Sequence, residues 1–313
     1  MGKKKFTGVS QFLARFRGWI QAGAALLTNL HLPNFLKGGL YQGAGKTVCV
    51  PGLNCYSCPA ASGACPIGAF QAVVGSSKFS FSYYITGILI LLGVLLGRFI
   101  CGFLCPFGWF QELLHKIPSR KLSTRKLKPL RYLKYAILLV MVFLLPAFLV
   151  NDVGMGDPFF CKYLCPQGVL EGAIPLSLAN SGIRAALGSL FTWKFGILLV
   201  VIVLSVLFYR PFCKWICPLG AFYALLNKVS LVQMKVDQSK CISCGKCARA
   251  CKMDVDVTKS PNHTECIRCG MCVRACPTNA VHFRCGFGTG KQGTVLPEKT
   301  NKQMNDIVKE KKS

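Results

Sequence analysis

The sequence predicts an all-α membrane domain of about four transmembrane helices with a two-fold internal repeat, joined to a small α+β domain. Three observations lead there. Of 313 residues, 52% are hydrophobic, yet 38 Lys and Arg stand against 11 Asp and Glu, a net charge of +27. Apolar and charged residues in that proportion occupy different stretches, as they do where spans alternate with basic loops. Apolar runs of near-spanning length recur along the chain. Finally, 19 cysteines fall into spaced, repeated groups, unlike the disulfide frame of a short secreted domain. The same composition excludes collagen-like, disordered and ordinary cytosolic chains. It also excludes a dedicated nucleic-acid binder, because the basic residues flank apolar segments and do not line one polar face.

The runs 83–99, 135–150 and 195–209 each approach the ~20 residues that cross a ~30 Å hydrocarbon core. A fourth run, 19–36, carries Gln21, Asn29 and His31, which cost free energy in lipid unless they face a bundle interior. Its basic start (Lys3, Lys4, Lys5, Arg15, Arg17) suits a span leaving the cytoplasm, an interfacial helix being the alternative. The segment after the first of these spans holds Lys116, Arg120, Lys121, Arg125, Lys126, Lys128, Arg131 and Lys134, whereas 151–193 has only Lys162 and Arg184 as basic residues. By the positive-inside rule the former is cytoplasmic and the latter external, with both termini inside a multi-pass protein of the cytoplasmic membrane. Residues 1–227 form the transmembrane domain, with repeats at about 12–117 and 131–227. Residues 228–285 form a cytoplasmic domain. Residues 286–313 form a basic tail without apolar periodicity, expected to be disordered.

The cytoplasmic domain carries the most specific signal. Cys241-x2-Cys244-x2-Cys247-x3-Cys251 is followed by Cys266-x2-Cys269-x2-Cys272-x3-Cys276-Pro277. Three thiolates on one tight loop hold three irons of a cubane, and the fourth, after a short helix, reaches the other cluster. Cys241, Cys244, Cys247 and Cys276 are thus expected at one 4Fe–4S centre, and Cys266, Cys269, Cys272 and Cys251 at a second. This is a bacterial-type two-cluster ferredoxin domain. Zinc ribbons do not require the third cysteine of each run. Lys252 stands where the first run would have proline.

A second motif recurs in the membrane domain. Arg98-x2-Cys101-x3-Cys105-Pro106-x-Gly108 matches Arg210-x2-Cys213-x3-Cys217-Pro218-x-Gly220. Cys161-x3-Cys165-Pro166-x-Gly168 has the same core, and Cys65-Pro66-x-Gly68-Ala69-Phe70-Gln71 echoes its end, preceded by Cys55-x2-Cys58. Each repeat reads span, external cysteines, span, internal Cys-x3-Cys-Pro, a parallel duplication. Cysteines four apart share one face of a helical turn, and one pair supplies half the ligands of a cubane. Cys101, Cys105, Cys213 and Cys217 are therefore expected to share one internal cluster, buried free thiols being the alternative. Outside, Cys161 and Cys165 pair with two of Cys55, Cys58 and Cys65. Cys58 and Cys65 are favoured because Cys65 aligns with Cys165. Cys55 and Cys49 stay open, as do disulfides. The two membrane sets are expected ~30 Å apart across the hydrocarbon. Two 4Fe–4S clusters in the ferredoxin domain and one or two more iron–sulfur clusters in the membrane domain follow. Arg98 and Arg210 supply positive charge beside an anionic centre, or act as plain positive-inside anchors. His31 and His115 read as interfacial, with quinone contact as the alternative. There is no catalytic triad, nucleotide loop or carboxylate pair.

With these residues the chain resembles the membrane polyferredoxin family, 4Fe–4S membrane proteins of NapH, NosR and CcoG type, over roughly residues 12–285. The flavin-binding domain of the NosR type and the immunoglobulin-like domain of the CcoG type are not expected. The resemblance implies single-electron transfer through 4Fe–4S clusters. The electrons would pass between a cytoplasmic ferredoxin, flavoprotein or the quinone pool and an extracytoplasmic redox protein, possession of a quinol-dehydrogenase role being open. The alternative it implies is a redox-linked assembly factor that reduces a metal or thiol for another metalloenzyme. A zinc scaffold is the third reading.

Overall fold

The computed structural model describes residues 8–76, 82–151 and 155–286. Lys3, Lys4, Lys5 and the tail beyond 286 lie outside them. A helical domain precedes a small α+β domain. Its first half contains α1 (Val9–Thr28), α2 (Pro66–Gly75), α3 (Tyr83–Leu95), α4 (Phe99–Phe103) and α5 (Pro106–Leu114). The second contains α6 (Leu127–Phe148), the π-turn α7 (Phe160–Leu164), α8 (Val169–Ala179), α9 (Ser189–Leu207), α10 (Pro211–Trp215) and α11 (Pro218–Leu226). The prolines of the Cys-Pro pairs open α2, α5 and α11, each after a cysteine with extended backbone. The fixed φ of proline suits a first helical turn, where its missing N–H leaves nothing unpaired.

Among the described residues, α6 and α9 are long and apolar enough to cross a membrane, and only 28% and 17% of their apolar windows are buried within the protein. Apolar faces so exposed require lipid or other cover. In α6, Pro146 lacks an N–H and crowds the preceding turn, and the helix widens to π register over Leu138–Leu144.

The other two expected spans are altered. The run 83–99 is not one helix, because Gly97 takes a left-handed φ of 55° and turns the chain into α4. The 13 residues of α3 rise about 20 Å at 1.5 Å each. The run 19–36 is likewise interrupted: α1 ends at Thr28, and Asn34–Lys37 forms a separate turn. The start of α1 runs along the α+β domain. There Gln11 Nε2 donates to the Val273 carbonyl at 3.2 Å and to Asn279 Oδ1 at 3.0 Å, and Ser10 Oγ accepts the Phe283 N–H at 3.0 Å.

The halves interlock. Helix α5 packs on α9 of the other half, and α11 packs on α3. Helix α1 lies on α4 and α5, α6 lies on α10 and α11, α2 meets α3, and α8 meets α9.

The α+β domain pairs β1 (Val232–Val236) antiparallel with β2 (Val281–Cys285), Met234 facing Phe283. Between them lie α12 (Lys246–Arg249) and α13 (Met271–Ala275). Its own duplication shows in the backbone: Ser243 and Arg268, one residue before the second cysteine of each run, are both left-handed, as are Asp254 and Asn279. Met234, Val257, Val273 and Val281 form its core with Ala14 from α1.

Buried ions fasten the domains. Glu265 accepts from Lys134 Nζ at 2.5 and 2.7 Å and from Arg98 Nη1 at 2.9 Å, with Arg98 and Lys134 fully buried. Burial alone would raise the Glu265 carboxyl, but Arg98 and Lys134 outweigh it and hold the group at about 2. A second group joins Asp254 to Lys214 and Arg131, each at 3.3 Å, and to Thr124. The Lys252 carbonyl, at the position where proline was expected, accepts from the buried Lys214 Nζ at 2.7 Å. Arg268 donates to the Leu96 carbonyl at 2.9 Å, closing the C-terminal end of α3. Removing one partner of a buried ionic group leaves the others uncompensated. Lys134→Met is therefore expected to destabilise the protein by about 3 kcal/mol in denaturant unfolding, and to expose the 227–232 junction to protease before the helices unfold.

Candidate cluster-binding sites

Three cavities fall where cysteine spacing predicts clusters. One is lined by Cys241, Cys244, Cys247 and Cys276, with Ile242 and Gly245. A second is lined by Cys251, Cys266, Cys269 and Cys272, with Met253 and Val255. In both, the fourth cysteine comes from the other run, as the crossover requires. Backbone N–H groups point at the sulfurs: Ala280 to Cys276 at 3.2 Å and Val255 to Cys251 at 3.4 Å. Burial pushes the Cys266 thiol up to about 11. Such a thiol stays neutral at ordinary pH until a metal displaces its proton.

The third cavity lies in the helical domain. Cys101 and Cys105 line it with Cys213 and Cys217, closed by Leu53, Phe107, Phe212 and Leu219. The pairs sit at α4–α5 and α10–α11, so the interlocking of the halves brings them together. All four cysteines are buried, and Gly220 N–H reaches Cys217 Sγ at 3.3 Å.

Two arginines cross between the halves around this cavity. Arg98 Nη2 donates to the Cys213 carbonyl at 3.4 Å, and Arg210 Nη1 donates to the Cys101 carbonyl. Both side chains are fully buried, which makes them parts of the site and not interfacial anchors. Each meets one carboxylate and one further cation: Arg98 with Glu265 and Lys134, Arg210 with Glu112 and Arg17. Two cations against one carboxylate leave one positive charge in excess on each side. Arg98 Nε and Arg210 Nη2 make no hydrogen bond within the protein. Positive excess, orphaned donors and four thiols fit an anionic cluster.

The second ferredoxin cavity adjoins the third. Gly102, between Cys101 and Cys105, lies so close to the Ile267 carbonyl that a Cβ there would overlap it. Gly102 is thus required by the approach of two backbones, one from each cysteine set. Its own carbonyl accepts from Arg17 Nε and Gln21 Nε2, both at 2.9 Å.

The remaining cysteines lie around the other two Cys-Pro-x-Gly turns. A Cβ on Gly68 would meet Cys161 Sγ at 3.7 Å and Cys65 Cβ at 3.9 Å, and one on Gly168 would meet Cys55 Sγ at 3.6 Å. Cys58 instead directs its thiol to Asn29 Oδ1 at 3.6 Å and packs with Ala60 and Ala61. Cys49 pairs by a β-bridge with Ala64. Nor does a ~30 Å span part this group from the third cavity. Leu53 lines the third cavity beside Cys105 and packs in one buried cluster with Cys65 and Cys165. His31 stacks on Tyr41 with ring centroids 3.7 Å apart, and His115 meets Tyr209 edge-on at 5.5 Å.

Two side chains bonded to these thiols carry no metal-binding signal of their own. Gln111, six residues after Cys105, donates through Nε2 to Cys213 Sγ at 3.2 Å and accepts the Phe212 N–H at 3.2 Å. Gln71, six after Cys65, does the same for Cys161 Sγ at 3.2 Å and the Phe160 N–H at 3.0 Å. The shared Cys-Pro-x-Gly-x2-Gln spacing is the sequence trace of this role.

Four-thiol cavities set in series through a ferredoxin domain and a helical domain define an iron–sulfur protein of polyferredoxin class. Comparison with known proteins agrees. A family described as a 4Fe-4S binding domain matches residues 63–84, 80–125, 134–174 and 190–237, and a second of the same description matches 234–255 and 260–282. An uncharacterised protein of Methanocaldococcus jannaschii is 28% identical over 55% of this chain and 66% of its own length. The ferredoxin-type protein NapH of Haemophilus influenzae is 28% identical over 48% of this chain and 66% of its own. The methylamine utilization ferredoxin-type protein MauN of Methylorubrum extorquens is 27% identical over 61% and 56%. The matched stretch thus covers less than two thirds of each relative. No solved structure matches the chain. The chain carries 4Fe-4S binding domains and belongs to the membrane polyferredoxin-type family.

Hydrogen bonds to cluster sulfurs raise the reduction potential. Gln111→Leu removes one such bond and leaves the buried Phe212 N–H unpaired, at a cost of about 1–3 kcal/mol. One midpoint potential in a redox titration followed by electron paramagnetic resonance is expected to move negative, with the two ferredoxin-type signals unchanged.

Proposed function

We propose that the protein passes single electrons between a redox partner at the ferredoxin domain and the membrane interior, over three cysteine sites in series. The carrying observation is the contact of Gly102 with Ile267, which sets the Cys101–Cys105 loop directly against the Cys266–Cys269 loop. Bound 4Fe–4S clusters would supply one-electron carriers there. Cys241, Cys244, Cys247 and Cys276 would hold the outermost, Cys251, Cys266, Cys269 and Cys272 the next, and Cys101, Cys105, Cys213 and Cys217 the third. The chain's own contribution is to hold the thiols, exclude water and set the surrounding charge. Ile242, beside the outermost set, is 51% exposed, which supports exchange with a soluble one-electron carrier such as a ferredoxin or flavoprotein. A quinone or an extracytoplasmic redox protein would serve the far end. NapH and MauN are named ferredoxin-type proteins, in keeping with this reading.

The helical domain would lie in the membrane, α6 and α9 spanning it and α1 and α3 their shorter counterparts in a duplicated half. The ferredoxin domain would face the cytoplasm. Support comes from the basic segment 116–134, whose Arg125, Arg131 and Lys134 pair with Asp254 and Glu265, so the positive-inside end and the ferredoxin domain coincide.

Two experiments test this. In a background where native labelling is subtracted, a cysteine introduced at the exposed Ser123 should resist a membrane-impermeant thiol reagent in intact cells. One at the exposed Ser181 should label; the reverse pattern overturns the orientation. In anaerobically purified protein, changing Cys101 and Cys105 to Ser should remove about four irons, and so should changing Cys213 and Cys217. Combining the two pairs should remove no more than either alone, since one shared site is not lost twice. A loss of about eight irons in the combined variant would give each pair its own cluster.

A further inference from the structure

The geometry points to a fourth iron–sulfur site in the helical domain, held by Cys55, Cys65, Cys161 and Cys165, with Cys58 outside it. This goes beyond the three-cavity reading, though it shares the premise that thiols of the helical domain bind clusters.

The first argument is reciprocity between the halves. In the Cys65 and Cys165 motifs the glycine faces a sulfur of the other half: a Cβ on Gly68 would meet Cys161 Sγ at 3.7 Å, and one on Gly168 would meet Cys55 Sγ at 3.6 Å. The residue six after Cys65 and the one six after Cys165 fix the backbone at those same distant cysteines. Gln71 accepts the Phe160 N–H beside Cys161, and Glu171 accepts the Cys55 N–H at 3.1 Å. Cys55 is thereby the counterpart of Cys161, and Cys65 that of Cys165. Cys58 has no such counterpart.

The second argument is the match to the inner site. Gln71 treats Cys161 as Gln111 treats Cys213, with one N–H···S bond and one accepted backbone N–H at nearly equal distances. The inner four thiols line a cavity that fits a cluster, and the outer four are held by the same device at the corresponding place of the repeat. Donors and charge are also suitable. Asn54 N–H faces Cys65. The Lys194 ammonium bonds the Cys161 carbonyl at 3.0 Å and lies close to Gly168, a cation set against the Glu171 carboxylate at Cys55.

The third argument concerns the path. Leu53 lines the inner cavity with Cys105 and packs in one buried cluster with Cys65 and Cys165, so the outer thiols continue the series begun in the ferredoxin domain.

The test uses the full chain, purified anaerobically in detergent, with iron and acid-labile sulfide assayed and the reduced protein examined by electron paramagnetic resonance. Wild type should hold about sixteen irons, four per site. Cys55→Ser and Cys165→Ser, one from each half, should each bring this to about twelve with loss of the same resonance. The double variant should lose no more, and Cys58→Ser should lose none. A wild-type content of about twelve irons overturns the fourth site and leaves the three-site reading standing, however the variants fold. A content of about eight removes the shared premise. Loss in Cys58→Ser with retention in Cys55→Ser overturns the ligand set. Retention in every variant makes these thiols structural.

Discussion

Everything in the helical domain depends on two guanidinium groups buried where charge is most costly. Arg98 and Arg210 are both fully enclosed, and each donates to the carbonyl of the first cysteine of the opposite pair. An unpaired buried cation is strongly destabilising, so each position dictates its neighbours. Glu265 must come from the ferredoxin domain to meet Arg98, and Glu112 from α5 to meet Arg210. The crossing that assembles four thiols, the docking of the domains and the positive excess around the inner cavity are therefore one arrangement.

That arrangement explains why the ferredoxin domain rests where it does. Glu265 immediately precedes Cys266, so an ion pair that anchors the domain also presents the loop carrying Cys266 and Cys269 to Gly102. A shift in that docking would change the separation of two adjoining cysteine sites together with the charge around the inner one. The two carboxylates are outnumbered by cations on both sides of the inner cavity, and the electrostatic setting of its thiols is thus shared between domains that are separate in sequence.

Much of this was legible in the residues. The two Cys-x2-Cys-x2-Cys-x3-Cys runs predict both ferredoxin cavities and their crossed fourth ligands, because covalent spacing on a tight loop limits which sulfurs can meet. The repeated Arg-x2-Cys-x3-Cys-Pro-x-Gly predicts the inner set for a similar reason: cysteines four apart share a helical face and two such faces are needed. The sequence was less informative for the outer set. Ten residues separate Cys55 from Cys65, where four separate Cys161 from Cys165, and alignment by spacing favours Cys58. In the structure the intervening residues form an excursion in which the Cys58 N–H bonds the Cys55 carbonyl at 3.1 Å and its thiol turns to Asn29.

The chain alone determined composition, repeats and the cysteine runs, all of which follow from local spacing and from the cost of placing polar residues in lipid. Only the tertiary structure decided what crosses between repeats. The runs 19–36 and 83–99 are broken at Asn29 and Gly97, because backbone turns there serve contacts with Ala60 and Arg268 that lie far along the chain. The partners of Arg98, the bond from Gln111 to Cys213 and the bond from the Cys55 N–H to Glu171 join residues 102 to 167 positions apart. Sequence periodicity reports which face of an element is apolar; it carries no information on which distant polar group that face must satisfy once both are buried.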